Sequence, residues 1–195
     1  ENSSNPGFVE ISKRLGKDVL YKYVKDFGFS KKTNVDLVGE TTGIFYPYDN
    51  YTTLNNATVS FGQGISVSMI QMIRAFCAVI NGGVLYTPKI TKAILMPYSN
   101  ELIYEVPTII EKDGIITQKT SELMRYALES VVAKGSGRKA YIEGFRVGAK
   151  TGTSQIAENG VYLQGQYILS MISAFPMNDP KIAIYVAMEK PHSLI

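Results

Sequence analysis

An α+β fold, with helices packed against an antiparallel sheet, is what this sequence predicts, and two observations carry the prediction. The first two thirds of the chain hold apolar residues at helical spacing, separated by turn-forming stretches. The last third holds three strand-like runs joined by short turns. Helices followed by successive strands is the pattern of an antiparallel sheet with helices beside it. Neither an internal repeat nor a linker interrupts the 195 residues, so one domain is expected.

The elements follow in order. In "NPGFVEISKRLGKDVLYKYVKDFGF" two short helices are expected. Phe8, Ile11 and Leu15 share one face of the first. Gly16 breaks the run, Asp18 is the expected cap of the second, and Leu20, Tyr23, Val24 and Phe27 recur along it. Residues 30–60, rich in Thr, Asn, Gly, Tyr and Asp, read as an irregular loop with short extended pieces. "ISVSMIQMIRAFCAVINGG" is the clearest helix, capped by Ser66 or Ser68 and stopped at Gly82–Gly83. Short strands are expected around "PKITKAILM" and "ELIYEV". "TQKTSELMRYALESVVAKGSG" is a second long helix, with Thr117 as cap, Gly135 as stop, and Leu123, Ala127, Leu128, Val131 and Val132 inward. The tail strands are "FRVGAKTGTSQ", "YILSMISAF" and "KIAIYVAM", with "ENGVYLQGQ" and "PMNDP" as connections.

Composition narrows the function. Hydrophobic residues make up 45% and charged residues 19%, a globular balance. The net charge of +3 is spread along the chain with no basic run, which speaks for a solvated surface and against nucleic acid. One cysteine, Cys77, and one histidine, His192, cannot build a structural zinc site or an internal disulfide. Cys77 falls on an apolar helical face with Met69, Ile73, Phe76 and Ile80, so it is expected in the core. His192, close to the C-terminus, is poorly placed to be held as a general base. No apolar run reaches the roughly 18 residues of a membrane span. The chain opens on Glu1 and stops soon after a strong strand, so a piece of a longer protein is expected.

Two short motifs can carry chemistry. In "KTGTS", Lys150 could hold a carboxylate as a point charge, and the hydroxyls of Thr151, Thr153 and Ser154 could add hydrogen bonds. Gly152 lets a ligand lie against the backbone, and a backbone N–H there could stabilise an oxyanion. The plainer alternative is an exposed lysine on a polar strand. In "SSN", Ser3, Ser4 and Asn5 could be an ordinary helix cap, or a proton relay with a substrate-orienting amide.

Taken together, Ser-x-Asn and a distant Lys-Thr-Gly resemble the serine acyl-transfer enzymes that react with penicillin. "SFGQGISVSMIQMIRAFCAVINGGVLYTPKI", "RYALESVVAKGSGRKAYIEGFRVGAKTGTSQ" and "DPKIAIYVAMEKP" extend the resemblance to nearly the whole chain. It is similar to the transpeptidase domain of class B penicillin-binding proteins, on the side of the sporulation and division transpeptidases. The segments around 40–56 and 96–116 match least. The resemblance implies a penicillin-binding transpeptidase or serine β-lactamase-like fold with no cofactor and no metal. It implies peptidoglycan stem peptides ending in D-Ala-D-Ala, and β-lactams, as ligands. It also implies a site on the outer face of the bacterial cytoplasmic membrane, with an anchor and cell-wall partners in the full-length protein.

Residue by residue, the resemblance puts Ser3 at the relay and Asn5 at the substrate-binding amide. Lys150 and Thr151 would take the terminal carboxylate, with Ser154 as a further substrate-binding hydroxyl. Gly152 would leave room for the substrate backbone, and the Thr153 N–H would be half of an oxyanion hole. "SFGQG", Ser60–Gly64, reads as a structural turn feeding the following helix. The family's nucleophile belongs to a Ser-x-x-Lys motif that precedes Ser-x-Asn, so residues 1–195 are expected to be a partial domain without it. Ser136-Gly137-Arg138-Lys139 matches that pattern by letter, but it follows a helix and comes after Ser-x-Asn, so it is not expected to be the nucleophile. The chain alone should therefore be inactive, and it should expose apolar surface that favours self-association. A D,D-carboxypeptidase or β-lactamase, a non-catalytic penicillin-binding sensor or scaffold, and a plain interaction module stand as alternatives.

Overall fold

The computed structural model describes residues 2–158 and 160–192. Among the described residues, seven strands and five α-helices run in the order α1 (Asn5–Leu15), α2 (Lys17–Asp26), α3 (Thr53–Ser60), α4 (Met69–Ile80), β1 (Leu85–Tyr86), β2 (Ala93–Leu95), β3 (Leu102–Glu105), β4 (Ile110–Lys112), α5 (Gln118–Lys134), β5 (Gly148–Glu158), β6 (Val161–Phe175) and β7 (Ile182–Glu189). β5, β6 and β7 form one antiparallel sheet in chain order. β1 pairs with β4, and β2 with β3, as two small antiparallel ribbons. The predicted α+β architecture is what the chain adopts.

The core sits between α4, α5 and the three-stranded sheet. Alternation along β6 sends successive residues to opposite faces. Ile172 and Ala174 join Phe76 and Ile80 of α4, Leu128 of α5, and Met177. Met171 and Phe175 join Val132 of α5 with Val147 and Ala149 at the start of β5. A bidentate ion pair, Arg146 Nε and Nη2 to Glu129 at 2.7 and 2.8 Å, ties α5 to the entry of β5. The Arg146 hydrogen bond also holds the Glu129 carboxyl below its ordinary pKa.

Four expectations need correction. Residues 30–60 are not all loop, because α3 lies within them. Thr52 and Asn55 close a reciprocal capping box that starts this helix despite its poor formers. The preceding turn is held by an aromatic cluster in which Tyr21 of α2 packs on Phe45, Tyr48 and Tyr51, each 5.1 Å between ring centroids. Second, Asp18 does not cap α2; Gly16 occupies that position, and the Asp18 carboxylate accepts from the Tyr48 hydroxyl. Third, Leu123 and Ala127 of α5 face outward. Ser121 takes the tight crossing with α4 instead, donating to Val79 O at 2.7 Å and accepting from Gly82 N at 3.0 Å. That contact turns the helix so that its buried stripe is Ser121, Leu128, Val131 and Val132. Fourth, most of "ENGVYLQGQ" is strand, since β5 runs to Glu158 and β6 starts at Val161, with a bulge between Gln155 and Ala157.

Ser68, not Ser66, caps α4, in a capping box with Gln71. Thr117 and Gly135 bound α5 as expected. Cys77 is half-buried and burial pushes its thiol pKa up; Phe76 and Ile80 beside it are buried, while Met69 is exposed. The Gly82–Gly83 stop is demanding. Gly83 has φ +97°, and a Cβ there would sit 2.2 Å from Ile116 O. Gly83→Ala therefore destabilises the fold by more than about 1 kcal/mol, read as a lower urea midpoint at unchanged m-value.

Candidate functional site

The two motifs singled out in the sequence meet. Lys150, the third residue of β5, sends its Nζ to Ser3 Oγ at 3.0 Å, across 147 positions of chain. The same ammonium donates to Thr151 O at 2.6 Å. An ammonium has three protons, so a third remains for a ligand. Lys150 is half-buried, and desolvation holds its pKa below the ordinary lysine value.

Local structure places the other members. Ser4 caps α1, its side chain accepting from Gly7 N at 3.4 Å, so Ser3 stands just outside the helix and Asn5 is its first residue, exposed. The two serines part here: Ser4 is the helix cap, and Ser3 is the one that reaches Lys150. β5 is an edge of the three-stranded sheet among the described residues. Register with β6 pairs Lys150 with Ile172, Thr151 with Met171, Gly152 with Ser170, Thr153 with Leu169 and Ser154 with Ile168. A Cβ on Gly152 would lie 2.7 Å from Ser170 Oγ, so glycine keeps this stretch of strand thin. Thr153 is exposed. Ser154 is half-buried, with its hydroxyl donating to Gln155 O at 3.4 Å.

Sequence reasoning missed one neighbour. Ser136, weighed only as a nucleophile, has its Oγ 3.1 Å from Thr151 Oγ1. Nothing in the sequence near Ser136 signals this, because the approach depends on how α5 lies on β5. Lys139, its partner in the letter pattern, is exposed in a short 3₁₀ turn, Arg138–Ala140. His192 is exposed at the far end of the described chain.

Among the described residues no cluster of three or more His, Cys, Asp or Glu side chains is arranged to hold a metal, and no helix is long and apolar enough to cross a membrane. The family profile described as the penicillin binding protein transpeptidase domain matches residues 1–194. The chain belongs to the penicillin-binding protein transpeptidase family. It is 48% identical over 195 residues to stage V sporulation protein D of Bacillus subtilis, covering all of this chain and 30% of that protein. It is 28% identical over 192 residues to the probable peptidoglycan D,D-transpeptidase PenA of Neisseria meningitidis, covering 98% of this chain and 31% of the relative. The crystal structure of penicillin binding protein 3 from Mycobacterium tuberculosis complexed with aztreonam matches with a TM-score of 0.90 at 28% identity, over 98% of this chain and 44% of that one. The chain thus spans about three-tenths of the length of these curated relatives.

Proposed function

We propose that this chain is the acyl-donor-binding part of a peptidoglycan D,D-transpeptidase, one that also binds β-lactams. The observation that carries the proposal is the 3.0 Å contact between Lys150 Nζ and Ser3 Oγ, which joins Ser-x-Asn to Lys-Thr-Gly beside an edge strand. Lys150 and Thr151 hold the terminal carboxylate of a D-alanyl-D-alanine stem peptide, and the Ser154 hydroxyl adds a further contact. Gly152 admits the substrate backbone, and the Asn5 amide orients the acyl chain. The N–H of Thr153 stabilises the oxyanion, a role open to a strand that lacks a neighbour on one side.

The nucleophilic serine comes from outside these 195 residues. Here the single Ser-x-x-Lys begins at Ser136, whose hydroxyl is engaged by Thr151 rather than by a base. In the reaction the serine oxygen attacks the carbonyl of the penultimate D-alanine, and its proton passes through Ser3 toward the leaving amine. The peptide bond breaks, terminal D-alanine departs with that proton, and an ester remains. An amine from a second stem peptide then attacks the ester, forms the cross-link and regenerates the serine. The work is done on the outer face of the cytoplasmic membrane, by a full-length protein that is membrane-anchored and acts with other cell-wall synthesis proteins. The bare Phe8, Ile11 and Leu15 face of α1 and the Ile182, Ile184, Val186 and Met188 face of β7 favour self-association of the 195-residue chain when isolated.

The test is the intact mass of the full-length protein and of residues 1–195 after incubation with benzylpenicillin. An adduct on the full-length protein only is expected. An adduct on the short chain would place the nucleophile within it, and no adduct on either would remove the acyl-enzyme mechanism.

A further inference from the structure

We propose that Ser136 is a positioning residue of the carboxylate site: it donates its hydroxyl proton to Thr151 Oγ1 and thereby aims the Thr151 proton at the ligand. The inference rests on the reading above, in which Lys150 and Thr151 receive a carboxylate.

Ser136 is held on both sides. The N–H groups of Gly135 and Gly137 both donate to Val131 O, at 3.0 and 3.1 Å, and Ala140 N donates to Gly137 O at 2.9 Å. This clamp closes the C-terminus of α5, and α5 is itself fixed to β5 through Val132, Val147 and Ala149. The 3.1 Å approach of Ser136 Oγ to Thr151 Oγ1 is therefore set by packed elements on either side.

Two hydroxyls in contact share one proton between them and leave one to spare. A carboxylate only accepts, so the arrangement matters. If Thr151 donated to Ser136, the spare proton would sit on Ser136, off the strand that carries Lys150. If Ser136 donates, the spare proton belongs to Thr151, whose own carbonyl already receives Lys150 Nζ at 2.6 Å. A carboxylate bound at this edge of β5 selects the second arrangement, because only then does Thr151 offer it a hydroxyl proton. Donation by Ser136 also polarises the Thr151 hydroxyl and strengthens it as a donor.

The test uses the full-length protein as wild type, Ser136→Ala and Ser136→Thr. Acylation rate constants are measured with benzylpenicillin, which carries a free carboxylate, and with its methyl ester, which does not. Ser136→Ala should slow benzylpenicillin roughly tenfold and leave the ester within twofold, and Ser136→Thr should restore the wild-type rate. An unchanged rate with benzylpenicillin overturns the inference. So does an equal loss on acid and ester, or a threonine variant as slow as alanine, since either outcome describes a merely structural serine. If wild type is acylated by neither compound, the proposed transpeptidase activity itself fails and takes this inference with it.

Discussion

Replacing Lys150 with methionine in the full-length protein should slow β-lactam acylation roughly 100-fold while raising the melting temperature at neutral pH. The kinetic loss is that of a charge-assisted hydrogen bond of about 3 kcal/mol to a carboxylate. The stability gain has the opposite sign because the same ammonium is half-buried. Desolvation holds its pKa below the ordinary lysine value, so folding disfavours the charged form. Below the folded pKa that penalty is fully present. As pH rises from the folded pKa toward the ordinary lysine value, the unfolded chain binds more protons than the folded one, and the penalty is relieved. Wild type should therefore gain stability relative to Lys150→Met on the alkaline side. Its acylation rate should fall with an alkaline limb below the ordinary lysine pKa, and that limb should be missing in the variant. A pH–rate profile and parallel melts check both. Acylation within threefold of wild type, or an alkaline limb kept by the methionine variant, would remove Lys150 from the carboxylate site. The two effects together are the usual exchange of stability for function at a binding residue.

Glu111→Ala should destabilise the protein by about 3 kcal/mol, and by more than Arg74→Met does. Arg74 lies in α4 with its guanidinium buried, and Nη1 donates to Glu111 Oε2 at 2.6 Å. Its other contacts are long, to Thr33 O and Gly28 O at 3.5 Å each, and Nε has no partner among the described residues. Glu40 lies near enough to feel the charge: burial works to raise its carboxyl, but Thr33, Asn34 and Arg74 together hold it low. Removing Glu111 leaves a buried cation with its main partner gone. Removing Arg74 instead leaves a carboxylate that is 30% exposed and can turn to water. For a chain of this size the loss corresponds to a fall in Tm of roughly 6–12 °C. Thermal melts of both variants decide it; a methionine variant less stable than the alanine one would reverse the argument.

Periodicity made the helices legible where one face is buried against the sheet, as in α4, whose Phe76 and Ile80 join Ile172 and Ala174. It failed where a polar residue took the packed position. Ser121 reads as surface, yet it is fully buried because its hydroxyl satisfies the backbone at the end of α4. It failed again at residues 30–60, where weak helix formers are held by Thr52, Asn55 and a ring from the distant helix α2. Local propensity carries no record of such partners.

The sequence by itself determined the fold class, the cap at Thr117, the strand that bears Lys150, and the pair of motifs, because each is written in neighbouring residues. Tertiary structure alone decided that the Ser3 hydroxyl lies within reach of Lys150, that Ser136 touches Thr151, and that Glu111 neutralises Arg74. Those contacts span from 15 to 147 positions of chain. They exist because helices and strands pack at fixed separations, which no local pattern encodes.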